Sequence, residues 1–112
     1  MLKVQNINNI NVVSFKDNDR FNALIAEEAK KELLEFFNKS NVKMVLDLDG
    51  IRFIDSSGFG VFLSVMKAAN NNYGVFKICN VNKEVMELFK LLQLHNVFEI
   101  YDSLNDCLKS FE

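Results

Sequence analysis

The segment Val42–Leu48, Val-Lys-Met-Val-Leu-Asp-Leu, constrains the fold more than any other in this 112-residue chain. It is short, nearly continuously apolar and rich in residues that favour strands, the pattern of a strand covered on both faces. Two-sided cover requires helices, and helical patterns flank it. Leu24–Asn38 places Ile25, Ala29, Leu33 and Phe36 on one stripe and Glu27, Glu28, Lys31 and Glu35 away from it. Val61–Asn71 reads as a second helix, stopped by Asn70-Asn71-Asn72 and Gly74. Val75–Cys79 reads as a strand. Glu84–Leu92 reads as a helix with Val85, Leu88, Phe89 and Leu92 inward. Val97–Tyr101 is a last strand and Leu104–Phe111 a last helix, opened by a capping box of Ser103 and Asp106. Two alternating stretches, Leu2–Gln5 and Asn11–Phe15, precede all of these, with Asn8-Asn9 as a hairpin turn. Lys16–Arg20 is polar and turn-like. This alternation predicts an α/β fold: a mostly parallel mixed sheet of about five strands, with about four helices packed on it through right-handed crossovers. No linker or repeat interrupts it, so residues 1–112 read as a single domain.

Composition narrows the function. Hydrophobic residues make up 49% and charged residues 25%, with a net charge of −2. The charge is not gathered into a basic block, so no nucleic-acid partner is expected. Cys79 lies in a predicted strand and Cys107 in a predicted helix. With one histidine they make no Cys/His zinc set, and they read as two buried thiols in a reducing cytosol. No signal region or membrane-length apolar run is present, so a soluble, cytoplasmic protein without a membrane partner is expected.

The chemistry concentrates in Phe53–Gly60, Phe-Ile-Asp-Ser-Ser-Gly-Phe-Gly, between a strand and a helix. Free backbone amides and the helix dipole favour negative charge at such a place. A nucleophilic serine needs a base. The sole histidine, His95, reads as a surface loop residue, and the Gly-x-Ser-x-Gly elbow is absent. Asp47, Asp49 and Asp55 cluster near strand ends and suit either turn formation or Mg²⁺ in a small nucleotide- or Mg-dependent enzyme. A receiver-type domain would need an acidic pair after its first strand and a Lys-Pro, and this chain has neither. Gly58-Phe59-Gly60 lacks the third glycine of a dinucleotide fingerprint, since Leu63 stands there. One of Ser56 and Ser57 is expected to cap the helix while the other faces solvent. The following helix is apolar nearly all round, with Phe59, Val61, Phe62, Leu63, Val65 and Met66 in its first turns. An apolar strip beside the polar turn is therefore expected as a partner surface.

Phe53-Ile54-Asp55-Ser56-Ser57-Gly58-Phe59-Gly60-Val61 closely resembles the Asp-Ser-Ser-Gly-Leu-Gly-Val signature of bacterial anti-sigma factor antagonists, the single-domain STAS proteins. The order of elements resembles theirs over nearly the whole chain. The resemblance implies a STAS-like sheet and a phosphorylation switch in transcription regulation. The serine after the aspartate, Ser56, is the implied phosphoacceptor, with Ser57 a helix cap and secondary candidate. The implied partner is an anti-sigma factor that is also a serine kinase and itself binds ATP. The unphosphorylated protein binds it and frees the sigma factor, phosphorylation ends binding, and a PP2C-type phosphatase resets the switch. Asp19, Asp55, Ser57, Gly58, Phe59 and Phe62 are the implied partner-binding residues. The resemblance implies no catalytic residue, cofactor or metal, and a monomer or weak dimer. Phe59 replaces the usual leucine. The segment Lys16–Asn22 departs from the Gly-Asp/Glu-Leu-Asp-like pattern, keeping an acid at Asp19 but carrying Arg20 and Phe21. A non-phosphorylated STAS scaffold in another signalling complex is the alternative reading, and an enzyme using Asp47, Asp49 and Asp55 the third.

Overall fold

Asn8 and Asn9 both adopt left-handed backbone, with φ of 52° and 66°. Two such residues in a row form the tight turn that matches the twist of a β-hairpin, and asparagine tolerates that conformation. The computed structural model describes residues 2–112 and opens with this hairpin, β1 (Leu2–Ile7) antiparallel to β2 (Ile10–Phe15). From β2 the sheet continues in parallel through β4 (Lys43–Asp47), β6 (Val75–Cys79) and β7 (Glu99–Tyr101), in the order β1-β2-β4-β6-β7. β4 is the middle strand, and Met44, Val45 and Leu46 are wholly buried. The mostly parallel five-stranded sheet with four helices agrees with the sequence reading.

Alternation along the strands divides the core in two. Val13, Phe15, Met44, Leu46, Phe76 and Ile78 face the larger layer, built from α1 (Ala23–Phe36), α2 (Ser56–Asn71) and α3 (Lys83–Leu91). Val12, Val45 and Cys79 face a smaller cluster under α4 (Leu104–Lys109).

Several expectations are corrected. Arg20–Phe21 is not turn but a short strand, β3, which pairs in parallel with β5 (Phe53–Ile54) in a separate two-stranded sheet. α2 starts at Ser56, a full turn before Val61. Leu92 caps the end of α3 and is 48% exposed rather than inward, because the helix ends before it can turn that side chain to the core. β7 begins at Glu99, not Val97. His95 is half-buried rather than on an open loop, and its Nδ1 is enclosed without a hydrogen-bond partner. Cys79 and Cys107 are both buried, as expected. Among the described residues no helix is long and apolar enough to cross a membrane.

Candidate functional site

The two-stranded sheet sets two strand–cap–helix units side by side. β3 runs through Asn22 into α1, and β5 runs through Asp55 into α2. The register Arg20↔Phe53 and Phe21↔Ile54 puts the two caps next to one another. Asn22 Oδ1 accepts from the Leu24 amide at 3.1 Å. Asp55 does more. Its Oδ1 accepts from the Gly58 amide at 3.0 Å, and its Oδ2 accepts from the Ala23 amide at 3.1 Å. One carboxylate thus caps α2 and holds the first turn of α1. The N-termini of helices of 14 and 16 residues converge on it, so two macrodipoles favour negative charge here.

This corrects the expected cap. Ser57 does not cap α2, and neither does Ser56. Asp55, in extended backbone (φ −97°, ψ −177°), already satisfies the amide a serine would have taken. Ser56 and Ser57 are the first two residues of α2, and both are exposed. Their own amides have no partner within the helix.

The expected apolar strip is also corrected. Phe59 is 3% exposed and Phe62 is fully buried. Phe59 packs edge-on against Phe89 of α3 at 4.9 Å between centroids, and Phe62 stacks on Phe21 at 5.3 Å. The sheet, α1, α3 and the β3–β5 pair together surround α2, so its apolarity is spent inward. Gly58 is buried for a steric reason. A Cβ there would lie 2.6 Å from the Phe21 carbonyl oxygen and 2.7 Å from Ile54 Cγ2. Phe59, Phe62 and Gly58 shape the site from beneath and offer a partner no open surface.

What remains outside is different. Gly60 is exposed, and a Cβ on it would meet no atom within 4 Å. Leu63 is 37% exposed, and Leu24, in the first turn of α1, is 91% exposed. Between α1 and α2 runs a groove of about 450 Å³ lined by residues that include Glu27, Lys30, Ser57, Gly60 and Ser64. Sequence reasoning did not single out Leu24 as part of the site. Its one signal was an apolar residue at a helix start, off the buried stripe. The exposed Asp19 belongs to the same end of the molecule. Its carbonyl accepts from the amides of Arg52 at 2.7 Å and Phe53 at 3.3 Å, and the Arg20 guanidinium lies over the Phe53 ring at 5.4 Å.

The three acids do not form a metal site. Asp47 Oδ1 accepts from the Asp49 amide and from Asn80 Nδ2, each at 3.0 Å. Asp55 is engaged with two helix starts. Among the described residues no group of three or more His, Cys, Asp or Glu side chains is placed to hold a metal ion. The Mg²⁺ cluster expected from Asp47, Asp49 and Asp55 is therefore not formed among the described residues.

The relatives of this chain agree with one another. The model of the STAS domain matches residues 2–107. A protein of Thermotoga maritima described as a candidate anti-sigma factor antagonist is 29% identical over 99 residues, which is 88% of each chain. An anti-sigma F factor antagonist of Paenibacillus polymyxa is 36% identical over 69 residues, 62% of this chain and 59% of its own. The crystal structure of a candidate anti-sigma factor antagonist from Thermotoga maritima superposes with a TM-score of 0.86 at 25% identity, covering 97% of this chain and 92% of that one. With the family model spanning nearly all of its length and the sheet and helices in matching arrangement, this chain belongs to the STAS domain family.

Proposed function

We propose that this protein is a cytoplasmic anti-sigma factor antagonist with no catalytic activity of its own, switched by phosphorylation of Ser56. The observation that carries the reading is the placement of Ser56. It is an exposed hydroxyl at the first position of α2, beside the one carboxylate that joins two helix starts. The partner is an anti-sigma factor serine kinase, which brings its own ATP, and a PP2C-type phosphatase restores the free hydroxyl. The docking surface is the exposed end of the molecule: Ser56, Ser57, Leu24, Gly60 and Leu63, with Asp19 and Asp55 at its edge.

The physics supports a switch that leaves the fold alone. A phosphate adds nearly two negative charges and three strong acceptor oxygens. The converging helix N-termini tolerate that charge in water. A partner closing over Ser56 must strip the phosphate of its water beside the Asp55 carboxylate, and unpaired buried charge is costly. A loss of affinity on the order of a hundredfold corresponds to about 2.7 kcal/mol, within the cost of one such contact.

The test joins phosphosite mapping to binding. Incubated with ATP and an anti-sigma factor kinase from the same cells, the protein gains one phosphate on Ser56, and Ser56→Ala gains none. Ser56→Asp binds the kinase on the order of a hundredfold more weakly while its thermal melt stays unchanged. Phosphate on Ser57 alone moves the site. A melt that falls in step with binding makes Ser56 structural and refutes the switch. Tight binding with no modification of either serine supports the scaffold reading instead.

A further inference from the structure

Lys77 and Cys79 stand two positions apart on β6, on the face that α4 covers. Lys77 Nζ donates to Ser110 Oγ at 2.8 Å and lies 4.3 Å from the centroid of the Phe111 ring. Ser110 is the residue that ends α4. Two residues along the strand is about 6.6 Å. Three residues back along the helix is close to one turn. Both steps lead to the same place, Cys79 opposite Cys107. The two side chains are fully buried in one apolar cluster with Ile10, Val12 and Val45, close enough for each thiol to perturb the other.

The pair is also chemically unequal. The neighbouring Cys79 thiol draws the Cys107 thiol below its ordinary range against the opposing effect of burial, and the Lys77 cation acts in the same direction as Cys79. The neighbouring Cys107 thiol and burial push the Cys79 thiol up. The Lys77 cation near Cys107 favours that sulfur as the one to carry negative charge once the site opens.

We propose that Cys79 and Cys107 are a modification site: under peroxide they form a reversible intramolecular disulfide that ties α4 to β6. α4 has six helical residues, and short helices of this kind open locally far more often than a core strand. Such an opening admits hydrogen peroxide. The Cys107 thiolate attacks one peroxide oxygen, the O–O bond breaks, and the released hydroxide takes a proton to leave as water. Cys79 then attacks the Cys107 sulfenic sulfur. The S–S bond forms, the S–O bond breaks, and the Cys79 thiol proton leaves with the hydroxyl as a second water. The two thiols are oxidised together by two electrons and one peroxide is reduced to two waters. A reducing cytosol keeps the pair as thiols, so the cross-link belongs to oxidative load.

The experiment treats the full chain with hydrogen peroxide under native conditions, traps free thiols with an alkylating reagent and maps the peptides. The expected product is a monomer lighter by two hydrogen atoms, with Cys79 and Cys107 in one linked peptide. Dithiothreitol reverses it. Its melting temperature exceeds that of the reduced form by several degrees, because the cross-link restricts the unfolded chain. Cys79→Ala and Cys107→Ala each lose both effects. The wild-type peptide map decides the matter even if a variant folds poorly. Both thiols still free after treatment, oxygen added to either sulfur, or disulfide-linked dimers would each overturn the proposal.

Discussion

Replacing Gly58 or Gly60 by alanine makes the same chemical change two residues apart in α2, and the structure predicts opposite signs. Alanine in place of glycine in a helix is worth about 0.8–1 kcal/mol, because glycine loses more backbone freedom on folding. At Gly60 nothing opposes that gain, since the new Cβ meets no atom within 4 Å. Gly60→Ala is therefore expected to stabilise by about 1 kcal/mol, a rise in melting temperature of about 4 °C for a domain of this size. At Gly58 the Cβ would arrive 2.6 Å from the Phe21 carbonyl oxygen, 2.7 Å from Ile54 Cγ2 and 3.0 Å from Phe21 Cδ2. The carbonyl cannot swing aside freely, because it accepts the Asp55 amide at 3.3 Å in the β3–β5 connection. Overpacking of this kind costs about 1–3 kcal/mol, and the upper part of that range, about 2–3 kcal/mol, applies where backbone has to move. After the helix gain is subtracted, Gly58→Ala should lose about 1–2 kcal/mol, or about 4–8 °C. Urea unfolding followed by circular dichroism, with an unchanged slope against denaturant, measures both variants on one scale. A Gly58→Ala protein as stable as the parent would refute the close approach as the reason for glycine. A destabilised Gly60→Ala protein would refute the reading of that face as open. The proposed docking surface adds a second readout: Gly60→Ala, though more stable, should bind the kinase less well.

Asp55→Ala removes the acceptor for both the Gly58 and Ala23 amides and should cost about 1–2 kcal/mol, with hydrogen exchange at Ala23 accelerated beyond the global change; Asp55→Asn should retain most of the stability. Lys77→Ala strips a buried stem from Phe111 and a charged donor from Ser110, for an expected loss of about 2–3 kcal/mol in urea. Its 3.3 Å contact with Glu99 contributes little of that, because the Glu99 side chain is mostly exposed.

The features written in long or unambiguous patterns were legible in the sequence. The apolar run of β4 announced two-sided burial, and Asn8-Asn9 announced the hairpin. β3 and β5 were not legible, because a two-residue strand shows no period and only Phe21 and Ile54 carry an inward signal. The start of α2 holds three residues able to cap, Asp55, Ser56 and Ser57, in a row. Which of them caps is decided by backbone direction, which β5 supplies through its pairing with β3. The apolar surround of Phe59 and Phe62 misled for a related reason. Local sequence reports how greasy a helix is, while the number of neighbours waiting to cover it depends on long-range topology. The open groove had no sequence signal, because its lining is mostly small residues such as Ala23, Ala26, Ser57, Gly60 and Ser64, which form no pattern.

Phe62 of α2 and the phenylalanine side chains packed under it form a continuous chain of rings. Phe15 meets Phe21 at 4.9 Å, Phe21 meets Phe62 at 5.3 Å, and Phe62 meets Phe98 at 6.3 Å, which in turn reaches Phe76 at 6.3 Å. The contacts run from tilted and stacked, at Phe15–Phe21 and Phe21–Phe62, to edge-on at Phe62–Phe98 and Phe76–Phe98, so the rings interlock at different angles. A helix seated on interlocked rings has no shallow path along which to slide or roll. Any displacement must lift a ring out of its slot and open a void. A phosphate on Ser56, as proposed, would therefore have no mechanical route through the interior to the far side of the sheet. It has to be read where it is written, by whatever touches that surface.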